Sequence, residues 1–243
     1  MPQSAGRALD ALDAVAASDG PVPAKALARR LGCGLSTVYE LLGTLTERGH
    51  LTRTPAGYVL GYRVPALHQA FRRQMRMADG VQELLLRARR TAGADTYFST
   101  YRDGDVAVLA GASADRAAVG GFGTGRDHAP HATAHGKVLL AALPRATRLR
   151  HLTASGMPAV TARTITSPER LEAQLRRVRR EGVAVEVEES VPGVACVAVP
   201  VPAAHGGALT AVSAALPLEE FRRGERHVVA ALRHVATEAA KLA

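Results

Sequence analysis

Three residues, Gly32-Cys33-Gly34, separate two short helical patterns, the arrangement of a helix-turn-helix. Upstream, Pro23 suits the first position of a helix, because its fixed φ is already helical and it has no N–H to lose. Ala24, Leu27, Ala28 and Leu31 then share one face, and Gly32 supplies the stop. Downstream, a helix over Leu35 to Glu47 brings Val38, Leu41, Leu42 and Leu45 together, with Gly49 just beyond it. Before the pair, Ser4 fits the N-cap of a helix with the stripe Ala8, Leu9, Leu12, Val15 and Ala16, stopped at Gly20. After it, Leu51 to Thr54, a Pro55-Ala56-Gly57 turn and Tyr58 to Leu60 predict a two-stranded wing.

In such an arrangement the second helix of the pair enters the major groove by its N-terminal residues. The exposed face of that helix carries Ser36, Thr37, Tyr39, Glu40 and Thr44, which suit contact with bases or phosphates, but no arginine. Lys25, Arg29 and Arg53 are the candidate phosphate contacts around it, with Arg7, Arg30 and Arg48 adding charge. A plain helical bundle with a hairpin satisfies the same spacing. The charge distribution favours nucleic acid: residues 1–76 hold ten Lys/Arg against five Asp/Glu, and residues 77–243 hold twenty-one against seventeen. The excess per residue is therefore more than twice as dense at the N-terminal end.

Composition closes other classes. With 47% hydrophobic and 22% charged residues, the chain is globular and not disordered. Two cysteines, Cys33 and Cys196, support neither a disulfide framework nor a cysteine-only zinc site. The first residues lack the basic and apolar blocks of a signal peptide, and the weakly polar run Val191 to Ala204 is broken by three prolines. The expectation is a soluble cytoplasmic protein with no membrane partner.

Residues 63–76 predict a connecting helix, with Val64, Leu67, His68, Phe71 and Met75 at helical spacing. A solvated helix lying on its own domain fits equally. From Asp79 onward the pattern mixes elements. A helix runs to Ala92, followed by strands Thr96 to Tyr101 and Val106 to Ala112, and a glycine-rich mobile loop at 120–125. A helix from His131 to Leu143 follows, then another from Ser167-Pro168 to Glu181. Strands Val183 to Val187, Val194 to Val201 and Ala208 to Leu216 lead to a C-terminal helix from about Pro217. Hairpin-joined strands with helices beside them indicate an α+β domain on a largely antiparallel sheet. Arg176, Arg177, Arg179 and Arg180 read as a solvated face balanced by Glu169, Glu172 and Glu181, although a nucleic-acid contact fits the same cluster.

Several segments resemble the IclR-type transcriptional regulators. In the first third they are Arg7 to Leu12, Ala26 to Gly32, Ser36-Thr37-Val38-Tyr39 and Arg48-Gly49-His50-Leu51. In the remainder they are His131-Ala132-Thr133-Ala134-His135-Gly136-Lys137, Gly182 to Glu189, Gly193 to Val201 and Ala211-Val212-Ser213. The resemblance spans nearly the whole chain in order. It implies a winged helix-turn-helix DNA-binding domain at 1–62, a linker helix at 63–76 that helps pair two chains, and a GAF-like effector-binding domain at 77–243. It further implies a small-molecule effector, often an organic acid or aromatic compound, double-stranded operator DNA with inverted repeats, and a homodimer or homotetramer. Matched position by position, Gly136, Glu186, Cys196 and Ser213 become effector-site candidates, with Ala215 where the family often has Ser. Plain core packing is the competing reading of Cys196 and Ser213. Gly136 sits where backbone N–H groups at a helix start suit a carboxylate. Two departures stand on the reading helix: Leu35 and Glu40 occupy positions where the family usually carries basic residues. They leave open a small-molecule sensor with lost or weak sequence-specific DNA binding.

His128, His131 and His135 also suggest a metal, because His131 and His135 at i, i+4 share a helical face. His131 is already accounted for by the family segment without a metal, so none is expected, and no motif calls for a cofactor. No nucleophile elbow or phosphate loop occurs, and the glycine loop at 120–125 has the wrong spacing for a dinucleotide fingerprint. The chain is expected not to be an enzyme.

Overall fold

The computed structural model describes residues 3–74, 80–113, 124–202 and 209–242. The chain divides into two compact units, Met1–Met77 and Ala78–Ala243. In the first, α1 (Gln3–Ala16), α2 (Ala24–Leu31) and α3 (Leu35–Glu47) pack around Leu27, Val38, Leu42 and Leu51, none more than 1% exposed. Burying each such side chain contributes about 1.5–3 kcal/mol, enough to fix three short helices against one another. Gly32 ends α2 in the left-handed conformation (φ 61°) and sends its N–H to the Ala28 carbonyl, which sets the tight turn into α3. The wing, β1 (Leu51–Thr54) and β2 (Gly57–Leu60), is antiparallel. Val22 and Tyr58 exchange two backbone hydrogen bonds of 2.9 Å, tying the wing to the approach of α2.

Three N-terminal expectations need correction. Ser4 lies inside α1 and does not cap it, since the helix already runs from Gln3. The buried stripe is Ala11, Ala14 and Val15, while Leu9 is 62% exposed and Ala16 is exposed. The helix ends at Ala16, short of Gly20. The connector is helical as α4 (Arg63–Gln74); none of its residues is fully buried, and the preceding Tyr62 is 90% exposed. Met75 and Arg76 lie outside the described residues.

In the second unit a six-stranded antiparallel sheet has the order β5-β4-β3-β8-β7-β6. Its strands are β3 (Asp95–Arg102), β4 (Asp105–Ala112), β5 (Gly125–Arg126), β6 (Ala184–Val187), β7 (Val194–Val201) and β8 (Leu209–Pro217). One face is covered by α5 (Val81–Ala92) and α9 (Leu218–Ala240), the other by α6 (Ala134–Ala142) and α8 (Pro168–Glu181). Strand period 2 explains the division: Tyr97, Val108, Cys196, Ala198, Ala211 and Ala215 turn toward α6 and α8 and join Leu139, Leu171 and Leu175 in one core. A bulge displaces the β3–β4 register between Phe98 and Ser99, yet β3 stays in continuous register with β8.

The sequence reading omitted one helix and extended another too far. Pro144 is followed directly by α7 (Arg145–Ser155). Its Arg148 is buried and donates to the carbonyls of Leu143 (2.8 Å) and Leu140 (3.4 Å), and to Glu172 at 3.0 Å. This pattern inverts the usual one, with a buried arginine and an exposed Leu149, so periodicity had nothing to detect. His131 precedes α6: Thr133 is the N-cap and accepts from the Gly136 N–H. Asp79, Gly120 to Gly123 and Ala208 lie outside the described residues, and Gly125 belongs to a short strand paired with β4.

Candidate functional site

The first unit presents a polar face on α3. Ser36, Tyr39, Glu40 and Thr44 are exposed and Thr37 is partly so, while the opposite side is held in the core by Val38, Leu42 and Leu45. Thr44 Oγ1 donates to the Glu40 carbonyl at 3.1 Å. Gly34 caps α3 without a side-chain hydrogen bond, and no acidic residue occupies the first turn. The helix start therefore keeps its free N–H groups and positive dipole end, a combination that suits phosphate. Lys25 and Arg29 are exposed on α2, and Arg53 is exposed on the wing, all in the same unit.

The second unit buries its polar residues instead. Across the sheet face under α6, Glu186 stands opposite Cys196, and Cys196 opposite Ala215. One row on, Ser213 lies between Ala198 and Tyr97. Lys137 descends from α6 with no exposed surface and pairs with Glu189. Glu189 Oε2 accepts from the Ile165 N–H at 3.2 Å, and the Glu189 N–H returns to Glu186 Oε2 at 2.8 Å. Ser190 Oγ donates to Glu186 Oε1 at 2.6 Å. Burial raises the Glu186 carboxyl above its ordinary value, against the hydrogen bonds of Ser190 and Cys196. Burial likewise pushes the Cys196 thiol well up, helped by the Glu186 charge, so this cysteine is protonated and not a nucleophile. Lys137 is lowered by burial even though the Glu189 charge opposes that shift.

A second polar group secures the start of α6. Asp127 Oδ2 lies 3.0 Å from His135 Nε2 and accepts from Thr133 Oγ1 at 2.7 Å; Oδ1 accepts from the Ala129 N–H at 2.8 Å. Burial disfavours the Asp127 anion, but the His135 and Thr133 contacts outweigh it and hold the carboxyl below its usual value. His131 Nε2 meets the Pro158 carbonyl at 3.0 Å, so that nitrogen carries the proton. His131 Nδ1 and Ser99 Oγ are buried without a hydrogen-bond partner among the described residues.

Residues 4–55 match the IclR helix-turn-helix domain, and residues 73–241 match the bacterial transcriptional regulator IclR C-terminal domain. The chain belongs to the IclR family. The HTH-type transcriptional regulator BhcR of Paracoccus denitrificans is 31% identical over 87% of this chain and 76% of its own length. The HTH-type transcriptional regulator XynR of Escherichia coli is 29% identical over 82% of this chain and 80% of its own. Among solved structures, a transcriptional regulator from Rhodococcus sp. RHA1 aligns with a TM-score of 0.74 at 25% identity, covering 99% of this chain and 98% of that one. An IclR homolog from Microbacterium hydrocarbonoxydans, solved with 4-hydroxybenzoate, shares the fold with a TM-score of 0.73 at 22% identity, covering 98% of each chain. The protein is thus a transcriptional regulator with a helix-turn-helix DNA-binding domain and an IclR effector-binding domain, a family of regulators and not of enzymes. Among the described residues, no helix is long and apolar enough to cross a membrane.

Within this IclR frame, Glu186, Cys196, Ser213 and Ala215 share one face of three adjacent strands. Gly136 stands apart from its expected role. Its N–H is taken by Thr133 Oγ1 at 3.1 Å and is not free for a carboxylate. A Cβ there would lie 2.1 Å from the Pro130 carbonyl oxygen, so glycine is required by that backbone approach. The three histidines are placed differently from one another: His131 is outside the helix, His128 is exposed, and His135 serves Asp127. Among the described residues, no three His, Cys, Asp or Glu side chains converge as a metal site. Sequence reasoning missed Lys137 with Glu189, His131 with Pro158, and Ser99. No local signal could have found the first pair, because Lys137 and Glu189 are far apart in the chain.

Proposed function

We propose that this regulator binds an inverted-repeat operator as a homodimer or homotetramer and is released or repositioned by a small metabolite. Residues 1–62 form the reader, 63–76 the pairing connector and 77–243 the sensor, working in the cytoplasm where the DNA is. The observation that carries this reading is the exposed polar face of α3, open at its N-terminus, beside Lys25, Arg29 and Arg53. Ser36, Thr37, Tyr39, Glu40 and Thr44 read base edges, and the three basic residues anchor phosphates. A single winged unit reads few bases, whereas a two-fold pair reads half-sites about 34 Å apart or a multiple of that. The exposed α4, with Leu67 45% accessible, supports pairing there.

The effector rests on Glu186, Cys196, Ser213 and Ala215, with Gly136 acting through the shape of the α6 start. A hydroxylated aromatic acid is the class to test first, by analogy with the 4-hydroxybenzoate-bound homolog. Control requires that the effector favour one arrangement of the paired reading heads, since equal affinity for both shifts nothing. The test is binding of the full chain to a labelled fragment of its own upstream region, with salt titrated and excess nonspecific DNA present. Tight binding that survives the competitor, falls steeply with salt and responds to an effector supports the reading. Binding abolished by the competitor overturns it in favour of a sensor without sequence-specific DNA binding, the outcome that exposed Leu35 and Glu40 on α3 favour.

A further inference from the structure

Helix α7 lies against the β3–β4 hairpin, and between them is a cleft of about 390 Å³. That is within the size range of small-molecule sites. Tyr101, Arg126, Thr147, Arg150, His151 and Ser155 line it. Its charge is cationic: Arg126 is partly offset by Asp105, 2.8 Å from its Nη2. Arg150 gives its Nη2 to Thr147 Oγ1 at 3.2 Å and has no carboxylate partner among the described residues. Both guanidiniums are exposed enough to receive a ligand.

His151 and Tyr101 form one wall of the cleft. The His151 Nδ1 lies 2.7 Å from the Gly104 carbonyl, and a carbonyl only accepts, so Nδ1 carries the proton. Its Nε2 is shut off from solvent and has no partner among the described residues. Tyr101 meets the same ring edge-on, with centroids 6.0 Å apart and planes at 70°. The wall is therefore aromatic on one side, with guanidiniums and hydroxyls around it.

We propose that this cleft is a second ligand site, separate from the Glu186–Cys196–Ser213 face, and that it takes the phosphate group of a small phosphorylated molecule. Arg126 and Arg150 bind its oxygens, and Thr147 and Tyr101 offer hydroxyls beside them. A phosphate group carries more negative charge and more acceptor oxygens than a carboxylate, and two guanidiniums from separate elements, α7 and β5, can share them. The site also has a mechanical route to the sensor. Arg148, on the same helix, grips the Leu140 and Leu143 carbonyls at the end of α6, the helix that carries Lys137.

The test is calorimetric titration of the full chain with inorganic phosphate, at ionic strength matched with chloride. Saturable binding is expected, weakened about tenfold or more in Arg150→Gln, whose exposed side chain is dispensable for folding. Because the DNA-reading unit also attracts phosphate, Arg29→Ala is measured alongside, and it is expected to leave this binding unchanged. Acetate at the same concentrations is expected to bind less tightly. Absence of saturable binding, its survival in Arg150→Gln, its loss in Arg29→Ala, or equal binding of acetate would each overturn the assignment.

Discussion

On α3, Ser36, Tyr39, Glu40 and Thr44 stand in solvent, whereas in the second unit Lys137, Glu186, Glu189 and His131 are closed away beneath α6. Both sets are polar, but their physics differs. The reading face makes few internal bonds, so its side chains are free for a partner and contribute little to the fold. The buried set is bonded residue to residue, from Lys137 to Glu189 to Glu186 to Ser190, and so carries stability along with any ligand role. If α3 is the reader, as proposed, its surface can change sequence preference cheaply, while the buried set can change only where its polar network tolerates it.

The largest effect expected of this contrast is on Lys137. Lys137→Met strands a buried Glu189 carboxylate, and breaking one side of such a pair costs about 3–5 kcal/mol. Urea unfolding of the full chain, followed through the second unit, reads that loss. The double variant Lys137→Met with Glu189→Leu is expected to recover most of it, because replacing both partners by apolar residues is often near neutral. A single variant as stable as the parent would show that the pair is not isolated from water. Next comes Gly136→Ala, whose Cβ meets the Pro130 backbone at 2.1–2.6 Å. Overpacking of that kind costs about 1–3 kcal/mol or more, read in the same assay. No loss would mean that the α6 start has room and that glycine is not required there.

How much of this was legible before folding divides along the same line. The α2–α3 pair, the wing and the α8 start rest on local chemistry, such as Gly32 at φ 61° and Ser167 accepting from the Arg170 N–H. Those signals stand in a few consecutive residues. In α1, alanine and leucine recur so often that two apolar stripes fit, and packing chose Ala11, Ala14 and Val15. Helix α7 was hidden because its buried residue is Arg148, satisfied by carbonyls contributed from α6. The Lys137–Glu189 pair joins residues 52 positions apart, and no periodicity encodes a partner at that distance. The candidate effector face could be named through resemblance, but the network supporting it could not.

A smaller effect concerns acid. Asp127 is held below its ordinary carboxyl range, so it contributes stability that is present above that range and lost as pH falls through its folded value. Glu186, raised by burial, has the opposite sign: its penalty is present above its folded value and is relieved as pH falls. Urea midpoints at stepped pH should therefore fall less steeply below about pH 4 in Asp127→Asn than in the parent. The Glu186→Gln difference lies higher, above the ordinary glutamate range, where acidification relieves the parent's penalty and the variant has none to relieve. Parallel curves for all three proteins would remove both carboxylates from the acid response.

The smallest effect on stability, and the one that tests the other side of the contrast, is on the reading face. Arg29→Ala is exposed and is expected to change unfolding free energy by less than about 0.5 kcal/mol. It should nevertheless weaken binding to all DNA sequences alike and reduce the slope of log affinity against log salt by about one. Tyr39→Ala is exposed too, but it lies on the base-reading face, so it should alter preference between operator variants by about 1–3 kcal/mol with little change in salt slope. Fluorescence anisotropy across a salt series, on the operator and on single-base variants, separates the two signatures. If Arg29→Ala alters sequence preference while Tyr39→Ala alters the salt slope, α2 enters the groove and α3 rests on the backbone, and the assignment of roles between the two helices reverses.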